Sequence, residues 1–62
     1  MEEKVFSLIG GAHKYAENSS RKNQTTRYII ECLGKYFVRN TLELDSLEKL
    51  EAIYTNGEKI TS

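Results

Sequence analysis

The chain has 62 residues, a formal net charge of zero, one histidine, one cysteine and no proline. A single cysteine excludes an internal disulfide, and one cysteine and one histidine together are too few ligands for a zinc site. A chain this short buries only about 60% of its unfolded surface. We therefore expect residues 1–62 to form one small domain, complete as it stands, that self-association supports.

The first predicted element is a helix within residues 5–16. Its apolar residues recur at the spacing of one helix face; they are Val5, Leu8, Ile9, Ala12, Tyr15 and Ala16. Gly10 and Gly11 interrupt this pattern, but the lysine and the buried strand of phosphate-binding loops are missing around them. Two interpretations stay open: the pair weakens or ends the helix, or Gly11 lets a neighbouring helix approach closely.

The polar segment at residues 17–26 is predicted to be a loop, and a second helix is predicted to follow it. The apolar face of this helix consists of Ile29, Ile30, Leu33, Tyr36 and Phe37. Opposite it lies a stripe at positions i, i+4, i+7 and i+11, formed by Tyr28, Cys32, Lys35 and Arg39. Tyrosine and arginine dominate binding hot spots, so Tyr28, Lys35 and Arg39, with Arg27 beside them, are the candidate partner-binding residues. The alternative is an ordinary solvated helix face.

Residues 36–44 carry two conflicting patterns. Tyr36 and Val38 alternate with Phe37 and Arg39, which is typical of a strand. A heptad spacing from Ile30 onward instead favours one long helix. We expect two helices joined by a short irregular or extended piece, with Gly34 as a possible helix cap.

A third helix is predicted to follow this piece. Asp45 and Glu48 have the spacing of a capping box, and Gly57 suits the left-handed residue that ends a helix. The segment Asn56-Gly57 could instead turn a β-hairpin, but the spacing of Leu47, Leu50 and Tyr54 favours the helix.

These elements predict a mostly α fold, a bundle of about three helices completed by dimerisation, with a possible extended segment at 36–44. The candidate residues for helix packing or for the dimer interface are Gly11, Ile30, Leu33, Phe37, Leu47, Leu50 and Tyr54.

Catalysis is not indicated by the side chains that carry chemistry. His13 lies at the edge of the first apolar face without an orienting partner, and Cys32 lacks a second cysteine or a helix start that would activate it. We predict that the protein is not an enzyme and that it uses no cofactor and no metal.

The charges are unevenly distributed along the chain. Residues 13–39 carry six basic and two acidic side chains, whereas residues 40–62 carry two basic and five acidic ones. A basic centre is compatible with nucleic-acid binding and with attraction between two copies of the chain.

The sequence therefore predicts a small regulatory adaptor or inhibitor that binds another protein as a homodimer. The alternative is a DNA-binding regulator that reads DNA with the basic second helix, and a third possibility is a pure oligomerisation module. No segment is long enough to span a membrane, and an unpaired cysteine suits a reducing compartment, so we expect a cytoplasmic protein.

Overall fold

The computed structural model describes residues 3–60, in which a five-stranded sheet carries one helix. The elements in chain order are β1 (Lys4–Phe6), α1 (Ile9–Asn23), β2 (Thr26–Cys32), β3 (Lys35–Arg39), β4 (Lys49–Thr55) and β5 (Glu58–Lys59). The strands lie in the order β1-β3-β2-β4-β5, and each neighbouring pair is antiparallel.

The prediction of a mostly α three-helix bundle is wrong, because the structure is 26% helical and 41% strand. The predicted second helix is the β2–β3 hairpin, and the predicted third helix is largely β4. Apolar side chains face both sides of this sheet, so their order along the chain imitates helical spacing. Burial on both faces removes the clean alternation by which a strand is recognised.

The first helix was predicted in nearly the right place but with wrong limits. Val5 belongs to β1, and α1 continues to Asn23, through most of the polar segment that was predicted to be a loop. Only Ala12, Ala16 and Ser20 are buried along α1, so the rest of its surface is free to be polar.

A tight turn connects the two strands of each hairpin, β2 to β3 and β4 to β5. Leu33 and Gly34 have φ of 51° and 82°, and Asn56 and Gly57 have φ of 53° and 85°. Positive φ at both central residues is the geometry of the type I′ turn, which matches the twist of the flanking strands. The prediction that Gly57 ends a helix is therefore wrong, and the hairpin alternative at Asn56-Gly57 is confirmed. Gly34 likewise turns a hairpin and caps no helix.

The core between α1 and the sheet is built from small residues on the helix and larger ones on the strands. Ala12 and Ala16 pack with the buried sheet residues Ile29, Val38, Ala52 and Tyr54, and Phe6, Tyr15 and Tyr36 pack around them. The buried Ser20 hydroxyl accepts a hydrogen bond from the Gly57 N–H at 2.9 Å and donates to the Glu17 carbonyl at 3.1 Å. This contact ties α1 to the turn between β4 and β5.

The connection between β3 and β4, residues 40–48, is called here the crossover connection. It starts beside Tyr28, which pairs with Arg39 at the end of β3. It ends beside Glu31, which pairs with Lys49 at the start of β4. Because β2 lies between β3 and β4, the connection has to cross β2 along one face of the sheet.

Candidate functional site

The sheet face opposite α1, called here the crossover face, carries a row of apolar residues across four strands. Val5 pairs with Phe37, Phe37 with Ile30, and Ile30 with Leu50. Directly paired residues lie on the same face of a sheet. Ile30 follows the α1-facing Ile29 in β2, so this row points away from the helix.

The row is buried at its centre and exposed at its ends. Ile30 is fully buried although it lies outside the cluster that packs on α1, whereas Val5 is 53% and Leu50 37% exposed. The crossover connection therefore covers the middle of the face and leaves both ends open. The connection adds further exposed leucines of its own: Leu42, Leu44 and Leu47.

Arg39 fixes the crossover connection to the sheet. Its Nη1 and Nη2 donate to the two carboxylate oxygens of Glu48 at 3.0 and 2.8 Å, and Nη1 also donates to the Glu43 carbonyl at 3.2 Å. Its Nε donates to the Glu3 carboxylate, and the guanidinium lies 5.2 Å from the centre of the Phe37 ring. One side chain thus joins the residue before β1, strand β3 and the connection.

These contacts change the pKa values of both partners in the expected directions. Hydrogen bonding to Glu48 and then to Glu3 raises the pKa of Arg39 further above its ordinary value. The Arg39 guanidinium, followed by the Asp45 N–H, lowers the pKa of Glu48. Both groups are therefore held in their charged forms at neutral pH.

The capping-box spacing of Asp45 and Glu48 predicted the contact between these two residues but not their link to Arg39. Glu48 Oε1 accepts the Asp45 N–H at 3.0 Å, and the Glu48 N–H donates to the Asp45 carbonyl at 3.0 Å. The first of these bonds is the one that the acidic residue of a capping box makes, but here it closes a turn instead of starting a helix. Pairing of Glu3 and Glu48 with Arg39 was missed, because no local spacing relates these residues.

Three of the four candidate partner-binding residues share the crossover face. Tyr28 and Arg39 are directly paired, and Lys35 pairs with Cys32 at the hairpin end. The four residues that were predicted to form a stripe on a helix therefore lie on one face of the β2–β3 hairpin. Arg27 lies on the opposite face and is only 7% exposed. The binding role of these residues stays a prediction.

The candidate packing residues do not form one surface in the structure. Ile30, Phe37 and Leu50 form part of the apolar row, and Tyr54 lies in the α1-facing core. Leu33 is an exposed turn residue and Leu47 an exposed residue of the crossover connection. A Cβ atom added at Gly11 would lie 3.2 Å from the Phe6 ring, so the close neighbour of this glycine is an aromatic ring of β1 and no second helix. Their role at a dimer interface stays a prediction.

The histidine and the cysteine lie on opposite sides of the sheet, and His13 has a partner that the sequence did not indicate. His13 Nδ1 lies 2.7 Å from the Tyr54 hydroxyl, and burial, with the charge of Glu17 second, raises the pKa of Tyr54. Cys32 is a free, half-buried thiol on the crossover face. Residues 3–60 contain no group of three or more metal-ligating side chains.

Comparison of the chain with protein-family models, with curated proteins and with solved structures finds no match. Within the described part of the chain, the single helix is too short and too polar to cross a membrane.

Proposed function

We propose that the protein is a small non-enzymatic module that acts by binding another protein through the crossover face. The observation that carries this proposal is the number of exposed aliphatic residues on this side of the sheet. Val5 and Leu50 are exposed at the two ends of the apolar row, and the crossover connection that covers its centre carries the exposed Leu42, Leu44 and Leu47. Exposed apolar surface on a small domain is typical of a protein interaction site.

Polar side chains at the border of this surface complete the features of an interface. Tyr28 is half-buried next to Arg39, and Lys35 is exposed at the hairpin end. Exposed apolar residues together with tyrosine and arginine side chains are the usual composition of a protein–protein interface. The charge on Arg39 is already paired within the chain, so we assign the binding energy mainly to the apolar residues.

DNA binding has less support in this fold. The helix that was predicted to read DNA is the β2–β3 hairpin. Three arginines of the basic centre are engaged internally: Arg21 with Glu17, Arg27 with Ser19, and Arg39 with Glu3 and Glu48. We therefore retain DNA only as an outcome to be measured.

Photo-cross-linking in cells that express the protein tests the proposed surface. A photoreactive residue at Leu47 should capture a partner that the same residue at Leu8, an exposed leucine beside the start of α1, does not capture. The captured protein is then purified and titrated against the unmodified chain. Leu47→Glu and Val5→Glu should weaken its affinity at least tenfold, because each inserts a charge into an apolar contact, and Leu8→Glu should not.

Two results would contradict the proposal. One is equal weakening of partner binding by Leu47→Glu and Leu8→Glu. The other is tight DNA binding in which the logarithm of the binding constant falls linearly with the logarithm of the salt concentration.

For the cellular compartment we propose the cytoplasm. Cys32 is unpaired in the described chain, and free thiols persist under reducing conditions.

A further inference from the structure

Arg27 is a buried cation with no acidic partner among residues 3–60. It is only 7% exposed, and its guanidinium donates to the hydroxyl of Ser19 at 2.9 Å, the hydroxyl of Thr25 at 2.8 Å and the carbonyl of Thr26 at 3.4 Å. The ion pairs within residues 3–60 involve Arg21 and Arg39 and leave Arg27 out. Burying a charge without a counter-ion is costly, so an anion that bound nearby would stabilise the fold.

Ser19 connects this buried cation to a surface cavity. The cavity has a volume of about 310 Å³ and is lined by Tyr15, Asn18, Ser19, Lys22 and Asn23. The Ser19 oxygen accepts from Arg27 Nε, and its own hydroxyl proton has no acceptor among the described residues. A hydroxyl has one donor to offer, and here that donor is free to bind a ligand in the cavity.

The remaining lining residues also favour an anion. Lys22 is the one formally charged side chain among them, and no carboxylate lines the cavity. Asn18 and Asn23 each bring an amide that can donate two hydrogen bonds. The Tyr15 ring, which packs against Phe6 with 5.6 Å between the ring centres, supplies an apolar wall.

We propose that this cavity binds the phosphate group of a small organic phosphate. Lys22 and the Ser19 hydroxyl contact the phosphate oxygens, the two asparagine amides complete the donor set, and Arg27 provides a second positive charge behind Ser19. Charge-assisted bonds from such donors are the strong ones in phosphate recognition. The volume is at the lower limit for small-molecule sites, which fits a phosphate ester of a few carbons.

The test is a titration of the full chain with inorganic phosphate, ribose 5-phosphate, acetate and chloride at constant ionic strength. Binding is followed by backbone amide NMR shifts and by the thermal midpoint. We expect saturable shifts centred on Ser19 and Lys22 with both phosphates, tighter for the ester, and none with acetate or chloride. A ligand that binds only the folded state should also raise the midpoint.

Two variants and a matched control locate the site. Lys22→Gln removes an exposed charge without affecting the core and should weaken phosphate affinity at least fivefold. Ser19→Ala should do the same, and its folding is checked separately because it also removes an acceptor of Arg27. Lys14→Gln, an exposed lysine of α1 outside the cavity, should bind phosphate normally. Absence of saturable binding, or equal binding by Lys22→Gln and Lys14→Gln, would overturn the proposal.

Discussion

Gly10 and Gly11 are adjacent in the first turn of α1, but their surroundings differ. A Cβ at Gly10 would meet nothing within 4 Å, whereas one at Gly11 would lie 3.2 Å from the Phe6 ring. Alanine has a better helix propensity than glycine by about 1 kcal/mol in a helix interior. Gly10→Ala should therefore raise the free energy of unfolding by several tenths of a kcal/mol, and Gly11→Ala should gain clearly less or lose stability.

Chemical denaturation of both variants measures this difference directly. Equal stabilisation by the two substitutions would contradict a close approach between Gly11 and Phe6. It would instead favour the interpretation that the glycines only weaken the helix.

Leu33 is strained in the turn between β2 and β3. Its φ is 51° and its side chain is 78% exposed, so it occupies a left-handed conformation without gaining burial. That conformation costs an ordinary residue about 1 kcal/mol, and asparagine tolerates it better. Leu33→Asn would reproduce the Asn56-Gly57 turn and should stabilise the protein by about 0.5–1 kcal/mol.

The thermal midpoint and denaturant titrations check this prediction, with Leu42→Asn in the crossover connection as the control for replacing an exposed leucine. A loss of stability in Leu33→Asn alone would show that the Leu33 side chain makes a contact worth more than the strain.

At the level of single residues, the sequence predicted turns better than side-chain partners. Asn-Gly at residues 56–57 carries its own turn signal, and the alternative based on it was correct. No such signal exists for Leu33-Gly34, because leucine rarely adopts positive φ. The contacts of Arg39 with Glu3 and Glu48 span 36 and 9 residues, and only the fold brings them together.

Among the larger elements, the crossover connection depends on Arg39. Arg39→Gln removes the paired bonds to Glu48 and the bond to Glu3, and it leaves partly buried acceptors unpaired. We expect a loss of about 1–2 kcal/mol in unfolding free energy and faster proteolysis within residues 40–48. The control is Arg21→Gln, which removes an exposed i,i+4 pair with Glu17 and should cost about 0.3–0.5 kcal/mol at most. A similar, small effect of both variants would contradict the role of Arg39.

The same pair predicts a dependence of stability on pH. The pKa of Glu48 is lowered below its ordinary value of 4.5 in the folded state, so the pair contributes stability at neutral pH. This contribution is lost as the pH falls below 4.5 and through the lower folded pKa. An acid titration followed by circular dichroism should show a shallower loss of stability for Glu48→Gln than for the unmodified chain. Glu17→Gln breaks the exposed pair with Arg21 and leaves the Arg39–Glu48 pair in place, so it should retain the steeper loss.

The misassignment of β2 and β3 has a physical origin in their two-sided burial. Ile29 packs toward α1 while the adjacent Ile30 is buried under the crossover connection. Two consecutive buried isoleucines fit a helix face as well as a strand that is covered on both sides. The alternation at Tyr36–Arg39 did indicate a strand, and the structure confirms it for β3. Deciding between the two patterns required knowing that a connection covers the second face.

For the whole molecule, the small size and the exposed apolar residues predict association. The core facing α1 is built around two alanines, and exposed aliphatic residues lie on the crossover side and beside the start of α1. A second copy of the chain would bury such surface and add stability that grows with the logarithm of the protein concentration. We therefore expect a homodimer in which folding and association are coupled.

The thermal midpoint should consequently rise with protein concentration, by about 5 °C per tenfold increase for two chains of this size. Sedimentation equilibrium should give the mass of two chains over the same range. Val5→Glu and Leu8→Glu then locate the interface. If one of these substitutions abolishes the concentration dependence of the midpoint, the two copies meet on the side that carries the new charge. The other variant should behave like the unmodified chain.

A midpoint that does not change with concentration, together with the mass of one chain, would contradict the homodimer. The fold would then be stable as a monomer despite its exposed aliphatic residues.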